Sequence, residues 1–175
     1  MYYIIYALAA AVIIAGDRLS KLWVTANAQV GETIARLPLF NITYVRNEGA
    51  AFSILSGRLG VLSVISVLFC VGVIAYFVIK RPKHRLWCTA LALMFAGALG
   101  NAWDRIFYGY VVDFIETAFI DFPVFNIADM AITIGAALMV VYAMFFDRDT
   151  KSDRDTKNVR DTKFEGDTEK EEGAG

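Results

Sequence analysis

Hydrophobic residues in this chain fall into four long runs, separated by shorter segments in which polar and charged residues collect. The runs cover about residues 2–24, 59–79, 86–103 and 127–146. About 20 helical residues cross the roughly 30 Å hydrocarbon core of a bilayer, so each run is long enough to be a transmembrane helix. The pattern predicts a mainly α, polytopic membrane protein with a four-transmembrane-helix bundle.

The segment between the first and second runs has a different pattern. Phe40, Ile42 and Tyr44 alternate with the residues between them, as in a half-buried β-strand, and the Asn-Glu-Gly sequence at 47–49 is typical of a turn. We therefore expect a small β-sheet cradle at the outer mouth of the bundle. A short interfacial helix over residues 50–55 is expected to follow it.

Composition separates the membrane part of the chain from its tail. Hydrophobic residues make up 57% of the chain, which is too many for an ordinary soluble domain. From position 147 the sequence DRDTK recurs in a highly charged segment, so we expect a membrane domain at 1–146 and a disordered tail at 147–175. The membrane domain has no basic surplus that would favour a nucleic-acid partner.

The basic loop KRPKHR at 80–85 sets the predicted topology. By the positive-inside rule this loop is cytoplasmic, so both termini are cytoplasmic and the segments near 25–58 and 105–126 lie at the outer face. The loop contains His84, the only histidine of the chain. A Ser-His-Asp or Cys-His site at the outer face is therefore excluded, and we expect no metal site there.

Two aspartates at the outer face are the main candidates for chemistry. Asp113 and Asp129 lie at the edges of apolar stretches, where a carboxylate is costly and usually functional. If they lie within hydrogen-bond distance, one stays protonated and contacts a scissile carbonyl while the ionised one takes a proton from water. Asp129 has a second interpretation, as an acidic residue in the first turn of a helix capped by Asn126.

The first run contains a charged pair. Asp17 and Lys21 are four residues apart and therefore share a helix face. Two interpretations stay open at this point. The pair could position the site or bind a polar ligand group, or it could be a structural ion pair whose lysine extends outward to the interface.

The third run ends in small and polar residues. Gly97 and Gly100 permit the close approach of a neighbouring helix. Asn101, Asp104 and Arg105 then cluster within about one turn, with Asn101 and Arg105 four residues apart. Taken alone, this cluster is typical of a polar helix end with a cation near the negative end of the helix dipole.

Five of these sequences occur in the order found in one family. The chain resembles the bacterial lipoprotein signal peptidases, also called signal peptidase II, over essentially all of residues 1–146. The matching sequences are DRLSK at 17–21, NEGAAF at 47–52, GALGNAWDR at 97–105, VVDF at 111–114 and FNIAD at 125–129.

The resemblance implies an aspartyl endopeptidase of the bacterial inner membrane that needs no cofactor and no metal. Its substrates would be diacylglyceryl-modified prolipoproteins, cleaved before the lipidated cysteine, and membrane lipid would surround a monomeric enzyme. Asp113 and Asp129 would be the catalytic pair. Site-supporting and substrate-binding roles would fall to Asn47, Asn101, Arg105, Asn126, Asp17, Lys21 and Gly97.

Two alternatives remain at this point. Ionisable residues inside a membrane also mark small transporters and proton relays, although a relay should distribute them through the membrane thickness, and here they collect near one face. The second alternative is a non-enzymatic membrane chaperone or lipid-binding subunit, which the residues alone do not exclude.

Overall fold

Four long helices and a three-stranded sheet make up the part of the chain that the structure describes. A computed structural model describes residues 2–49 and 59–146, so the helix expected over 50–55 and the tail from 147 lie outside the described residues. Contacts divide the chain into two units, Met1–Leu138 and Met139–Gly175. The elements are α1 (Tyr2–Asn27), β1 (Thr33–Arg36), β2 (Phe40–Asn47), α2 (Leu59–Lys80), α3 (Arg85–Tyr108), β3 (Val111–Thr117) and α4 (Ile127–Phe145).

All four predicted spans are helices in the described part of the chain, and each is long and apolar enough to cross a membrane. The predicted fold class, mainly helical with a small sheet, is therefore confirmed. Helices α1 and α3 extend to Asn27 and Tyr108, several residues beyond their apolar runs. The reason is that hydropathy marks only the apolar part of a helix, whereas the added residues include polar ones such as Asn27 in α1 and Asp104 in α3.

Helix α3 is the central helix of the first unit. In α3, 56% of the most apolar stretch is buried, against 11–17% in the other three helices. Helices α1 and α2 both pack on it. Their outward faces present large apolar side chains, such as Val12 and Leu68, to the surroundings. An apolar surface of this extent fits lipid as the solvent.

Close contact between α3 and the start of α4 depends on glycine. A Cβ atom at Gly97 would overlap the carbonyl oxygen of Ala128 and lie 2.7 Å from Cγ1 of Ile132. At Gly100 a Cβ atom would lie 2.9 Å from a carboxylate oxygen of Asp17 on α1. The expected role of these glycines in close helix packing is confirmed.

The sheet is antiparallel in the order β1-β2-β3 and lies against α1 and α3. A buried cluster of Val24, Tyr44, Val112 and Phe114 joins the end of α1 to the sheet. The predicted strand near residues 40–46 is β2, whereas β1 and β3 were not expected as strands. The sheet places the first candidate aspartate, because Asp113 lies in β3 opposite Val45 of β2.

Candidate active site

Asp113 is buried at the junction of the sheet and the helices. Asp113 is only 1% exposed. One carboxylate oxygen accepts a hydrogen bond from Nδ2 of Asn47 at 2.8 Å, and the other accepts one from Nδ2 of Asn126 at 2.6 Å. Asn47 reaches it because the register of β2 and β3 places the two side chains diagonally on one face.

The surroundings of Asp113 make its ionisation unfavourable. Burial, followed by the nearby negative charge of Asp129, raises the pKa of Asp113 to about 7. The amides of Asn47 and Asn126 donate to the carboxylate and act in the opposite direction. Asp113 therefore exchanges its proton near neutral pH, in the range that acid–base chemistry needs.

Asp129 is held at the start of α4 by a reciprocal cap. Its backbone N–H donates to Oδ1 of Asn126 at 2.9 Å, and the backbone N–H of Asn126 donates to Oδ2 of Asp129 at 3.2 Å. This is a capping box with asparagine at the N-cap and aspartate in the third helical position. The expected capping role of both residues is confirmed, and it leaves Oδ1 of Asp129 for another partner.

A short segment before α4 positions the cap. Phe125 pairs with Ile115 of β3, through N–H to O bonds of 2.8 and 3.0 Å in opposite directions. Asn126 follows directly and is fully buried, with its Nδ2 directed at Asp113 and its backbone directed at Asp129. One asparagine therefore contacts both candidate carboxylates.

Asn101 of α3 joins this arrangement from the other side. Its Nδ2 donates to Oδ1 of Asp129 at 2.7 Å, and its Oδ1 accepts from Nδ2 of Asn126 and from Nζ of Lys21, both at 3.1 Å. Because an ammonium group can only donate, Lys21 requires the oxygen of the Asn101 amide to face it. Asn101 pairs with these residues rather than with Arg105, its neighbour one turn on.

Lys21 lies at the centre of a buried ionic cluster. It is 1% exposed, and its Nζ lies 2.8 Å from Asp17 and 2.9 Å from Asp104. The interpretation in which Lys21 extends outward to the interface is therefore wrong, because two carboxylates and Asn101 supply its partners inside the protein. Asp17 also accepts the backbone N–H of Ala128 at 2.9 Å, which ties α1 to the first turn of α4.

Asp104 is the second acid of this ionic cluster, and its place in a polar helix end predicts no specific role for it. It is 1% exposed and contacts Lys21 at 2.9 Å and Arg18 at 3.1 Å. The sequence feature that could have indicated its role is the balance of charge between the helices. Helix α1 contributes two cations and only one acid, Asp17, at this level, so a second buried acid had to come from another helix.

Arg105 extends from α3 toward the turn after β2. Its Nη2 lies 3.5 Å from the carbonyl oxygen of Gly49, and its buried Nε has no hydrogen-bond partner among residues 2–49 and 59–146. Arg105 lines the same cavity as the two aspartates. It therefore presents a cation and an available donor close to them.

The cavity has a volume of about 490 Å³ and two chemically different parts. Its polar part contains Asp113, Asp129, Asn47 and Arg105. Its apolar part is formed by the remaining walls, which include Val111, Phe122, Pro123, Val124, Phe125, Met130, Ile132 and Ile134. The cavity can accommodate a largely apolar ligand that presents one polar group to the carboxylates.

Comparison with known proteins identifies the family. The sequence profile of signal peptidase (SPase) II matches residues 9–146. The chain belongs to this family. The enzyme is therefore an aspartic peptidase, and its family removes signal peptides from prolipoproteins. This confirms the predicted activity and decides against the transporter and the non-enzymatic alternatives.

Individual relatives can be aligned with this chain over most of their length. A lipoprotein signal peptidase of Listeria welshimeri is 41% identical over 155 residues, which cover 86% of this chain and 98% of the relative. That of Enterococcus faecalis is 37% identical over 150 residues, which cover 85% and 92%. A bacterial membrane enzyme solved by the in meso method at 2.3 Å resolution has 35% identity and a TM-score of 0.75, over 79% of this chain and 87% of its own.

Proposed function

We propose that Asp113 and Asp129 are the catalytic pair of this peptidase and activate a water molecule without a metal ion. The observation that carries the proposal is their common link through Asn126, which donates to Asp113 at 2.6 Å and to Asp129 at 3.2 Å. Both carboxylates line the same cavity. Two carboxyl groups with different environments are the usual basis for dividing acid and base roles.

The environments support an assignment of those roles. Asp113 is the more buried of the two, and its pKa of about 7 keeps much of it protonated at neutral pH. It donates its proton to the scissile carbonyl oxygen. Asp129 is partly exposed to the cavity, and it takes a proton from the attacking water.

The proton balance then closes within the pair. Water adds to the carbonyl carbon, which gives a neutral tetrahedral diol with one proton from Asp113 and leaves the proton of water on Asp129. Collapse of the diol breaks the C–N bond, the leaving nitrogen takes the proton from Asp129, and a hydroxyl proton returns to Asp113. No covalent enzyme intermediate is formed.

The cavity supports a lipid-modified peptide as the substrate. We infer that the diacylglyceryl group of the prolipoprotein cysteine lies against the apolar walls, and that the peptide bond before this cysteine reaches the carboxylates. Met130 and Ile134 line the cavity and are also exposed on α4, so acyl chains can pass from the cavity to the bilayer. Asn47 and Arg105 offer polar contacts to the peptide backbone.

We also infer on which side of the membrane the active site lies. Residue 85 is the last residue of the basic loop and the first of α3, and Asn101 lies 16 residues further along this helix. At 1.5 Å per residue the two are separated by about 24 Å, most of the thickness of the hydrocarbon core. With the basic loop in the cytoplasm, the active site lies at the outer face of the bacterial inner membrane and both termini are cytoplasmic.

The test is cleavage of a lipidated and an unlipidated prolipoprotein by purified enzyme. Asp113→Asn and Asp129→Asn are each expected to abolish cleavage, and only the lipidated substrate should be processed. Asp121→Asn is a matched control, because Asp121 is an exposed acid in the segment between β3 and α4 and does not line the cavity. Near-normal turnover by either dyad variant would overturn the catalytic assignment, and equal cleavage of both substrates would overturn the lipid requirement.

A further inference from the structure

A second cavity, of about 420 Å³, lies on the opposite face of the sheet from the active site. None of the residues that line it lines the first cavity. The separation follows from strand geometry, since successive side chains point to opposite faces. Asn47 and Asp113 face the active site, whereas their neighbours Arg46 and Val112 line the second cavity.

Two arginines occupy this second cavity, each stacked on a tyrosine. The guanidinium of Arg18 lies 4.9 Å from the ring centre of Tyr108, and that of Arg46 lies 4.5 Å from the ring centre of Tyr110. The two tyrosine rings are 6.2 Å apart. The terminal nitrogens of Arg18 also donate to Asp104 and to the hydroxyl of Tyr108. The cation–π contact of Arg46 holds its guanidinium in place while its terminal N–H groups remain available.

The cations of this cavity are not all neutralised. Arg18 and Lys21 are balanced by the two buried acids of the ionic cluster, Asp17 and Asp104. In contrast, no carboxylate within the described ranges lies within 4 Å of Arg46, whose Nε donates to the hydroxyl of Tyr44 at 3.1 Å. Arg46 is exposed at the cavity, and its two terminal nitrogens have no acceptor among residues 2–49 and 59–146. An anion is the complementary ligand.

The rim of the cavity is suited to lipid rather than to water. Leu22 both lines the cavity and is half exposed. Trp23 on α1, and Trp103 and Phe107 near the end of α3, are exposed large side chains at the same ends of the helices. Aromatic residues at helix ends mark the level of the lipid headgroups. An anion bound here would therefore be presented at the depth of a phospholipid phosphate.

We propose that this second cavity binds the headgroup of an anionic phospholipid. The phosphate contacts the terminal nitrogens of Arg46, with Arg18 alongside, and the acyl chains run over Leu22 into the bilayer. Arginine is well matched to a phosphate because its planar donors bind two oxygens at once. The site is independent of the assignment of the catalytic pair, because it lies on the other face of β2 and β3.

The test is lipid binding by the full-length, delipidated enzyme in a neutral detergent, measured by native mass spectrometry. The probes are phosphatidylglycerol and phosphatidylcholine with identical acyl chains, because they separate a net anionic lipid from a zwitterionic one. A single arginine near an anionic lipid contributes about fivefold in affinity. We expect phosphatidylglycerol to bind the wild type at least that much more tightly. Equal binding of the two lipids would overturn the proposal.

Single arginine substitutions test the location of the proposed lipid site. Arg46→Gln is expected to lower the preference for phosphatidylglycerol by about fivefold. Arg46→Lys should lose only part of it, because the charge remains but the planar donors that bind two oxygens do not. Arg36→Gln is the matched control, since Arg36 is an exposed arginine of the same sheet outside the cavity. Equal loss in Arg46→Gln and Arg36→Gln would refute this location.

A competition experiment separates a lipid site from a site for free anions. Inorganic phosphate in large excess should displace little phosphatidylglycerol, because it lacks the acyl chains that contact the apolar rim. Full displacement of the lipid by inorganic phosphate would show a site for soluble phosphate and would refute the lipid assignment.

Discussion

Removal of the Asn47 side chain tests most directly the proposal that Asp113 is the protonated member of the pair. The Nδ2 group of Asn47 donates to Oδ2 of Asp113 at 2.8 Å, and this hydrogen bond favours the ionised carboxylate. Asn47→Ala removes the donor and leaves the ionised form of Asp113 with one amide partner, Asn126. The pKa of Asp113 is therefore expected to rise above its value of about 7.

The size of the change follows from the strength of the lost bond. A hydrogen bond to a charged group contributes about 1.5–3 kcal/mol, and about 1.4 kcal/mol corresponds to a tenfold change in an acid dissociation constant. Asp113 is 1% exposed, so screening by bulk solvent is weak. A water molecule in the space left by the amide would replace part of the bond, so we take the lower value. The pKa of Asp113 in the variant is then expected near about 8.

The assay is kcat/KM as a function of pH, which reports groups of the free enzyme. Because Asp113 acts as the acid, activity is present below its pKa and falls about tenfold per pH unit above it. The alkaline limb is expected near pH 7 in the wild type and about one pH unit higher in Asn47→Ala.

A neighbouring asparagine supplies the control for this experiment. Asn41 lies on the same strand and donates to Glu116 at 3.3 Å, away from the two aspartates. The alkaline limb of Asn41→Ala should coincide with that of the wild type. An unmoved limb in Asn47→Ala, a limb at lower pH, or an equal movement in both variants would refute the assignment of Asp113 as the acid.

Three further predictions concern the support of the site. Lys21→Met leaves buried carboxylates without their cation and should cost about 3–5 kcal/mol of folding free energy. Lys80→Met, at an exposed helix end, should cost little, and equal melting temperatures of the two variants would contradict this prediction. Gly97→Ala drives a methyl group into Ala128 and should lower stability by about 1–3 kcal/mol together with activity, whereas Gly72→Ala meets open space. Chelation of divalent cations should leave kcat/KM unchanged, and a loss that added metal restores would refute the metal-free mechanism.

The membrane helices could be predicted from hydropathy because each one must present an apolar face to lipid along its whole length. The ends of α1 and α3 could not be placed in this way. Asp104 and Arg105 continue α3 beyond its apolar run, and the charge of Asp104 is paired with Lys21 of α1 inside the protein rather than hydrated by water. Hydropathy alone does not distinguish such a helix end from a loop.

Strand β3 illustrates a different limit. A half-exposed strand alternates apolar and polar residues, and β2 could be recognised by that pattern. In β3 the residues from Val111 to Phe114 are all buried, because helices cover one face and the sheet cluster covers the other. A strand buried on both faces loses the alternation and cannot be told from other short apolar segments. The pairing that brings Asp113 opposite Val45 was therefore invisible in the sequence.

The roles of Asp129 as helix cap and as proposed base depend on one another. The capping box holds Oδ2 against the backbone N–H of Asn126 at 3.2 Å, and Asn101 holds Oδ1 at 2.7 Å. The carboxylate is therefore fixed by rigid elements before substrate binds, as catalysis requires. In Asp129→Asn one amide NH₂ would face one of these two donors, so the variant should lose stability as well as activity. Its loss of activity is expected to far exceed any loss of folded protein, as measured by melting temperature and by cleavage on the same sample. A decrease in activity that only matches the decrease in folded protein would show that Asp129 acts as a helix cap and not as the catalytic base.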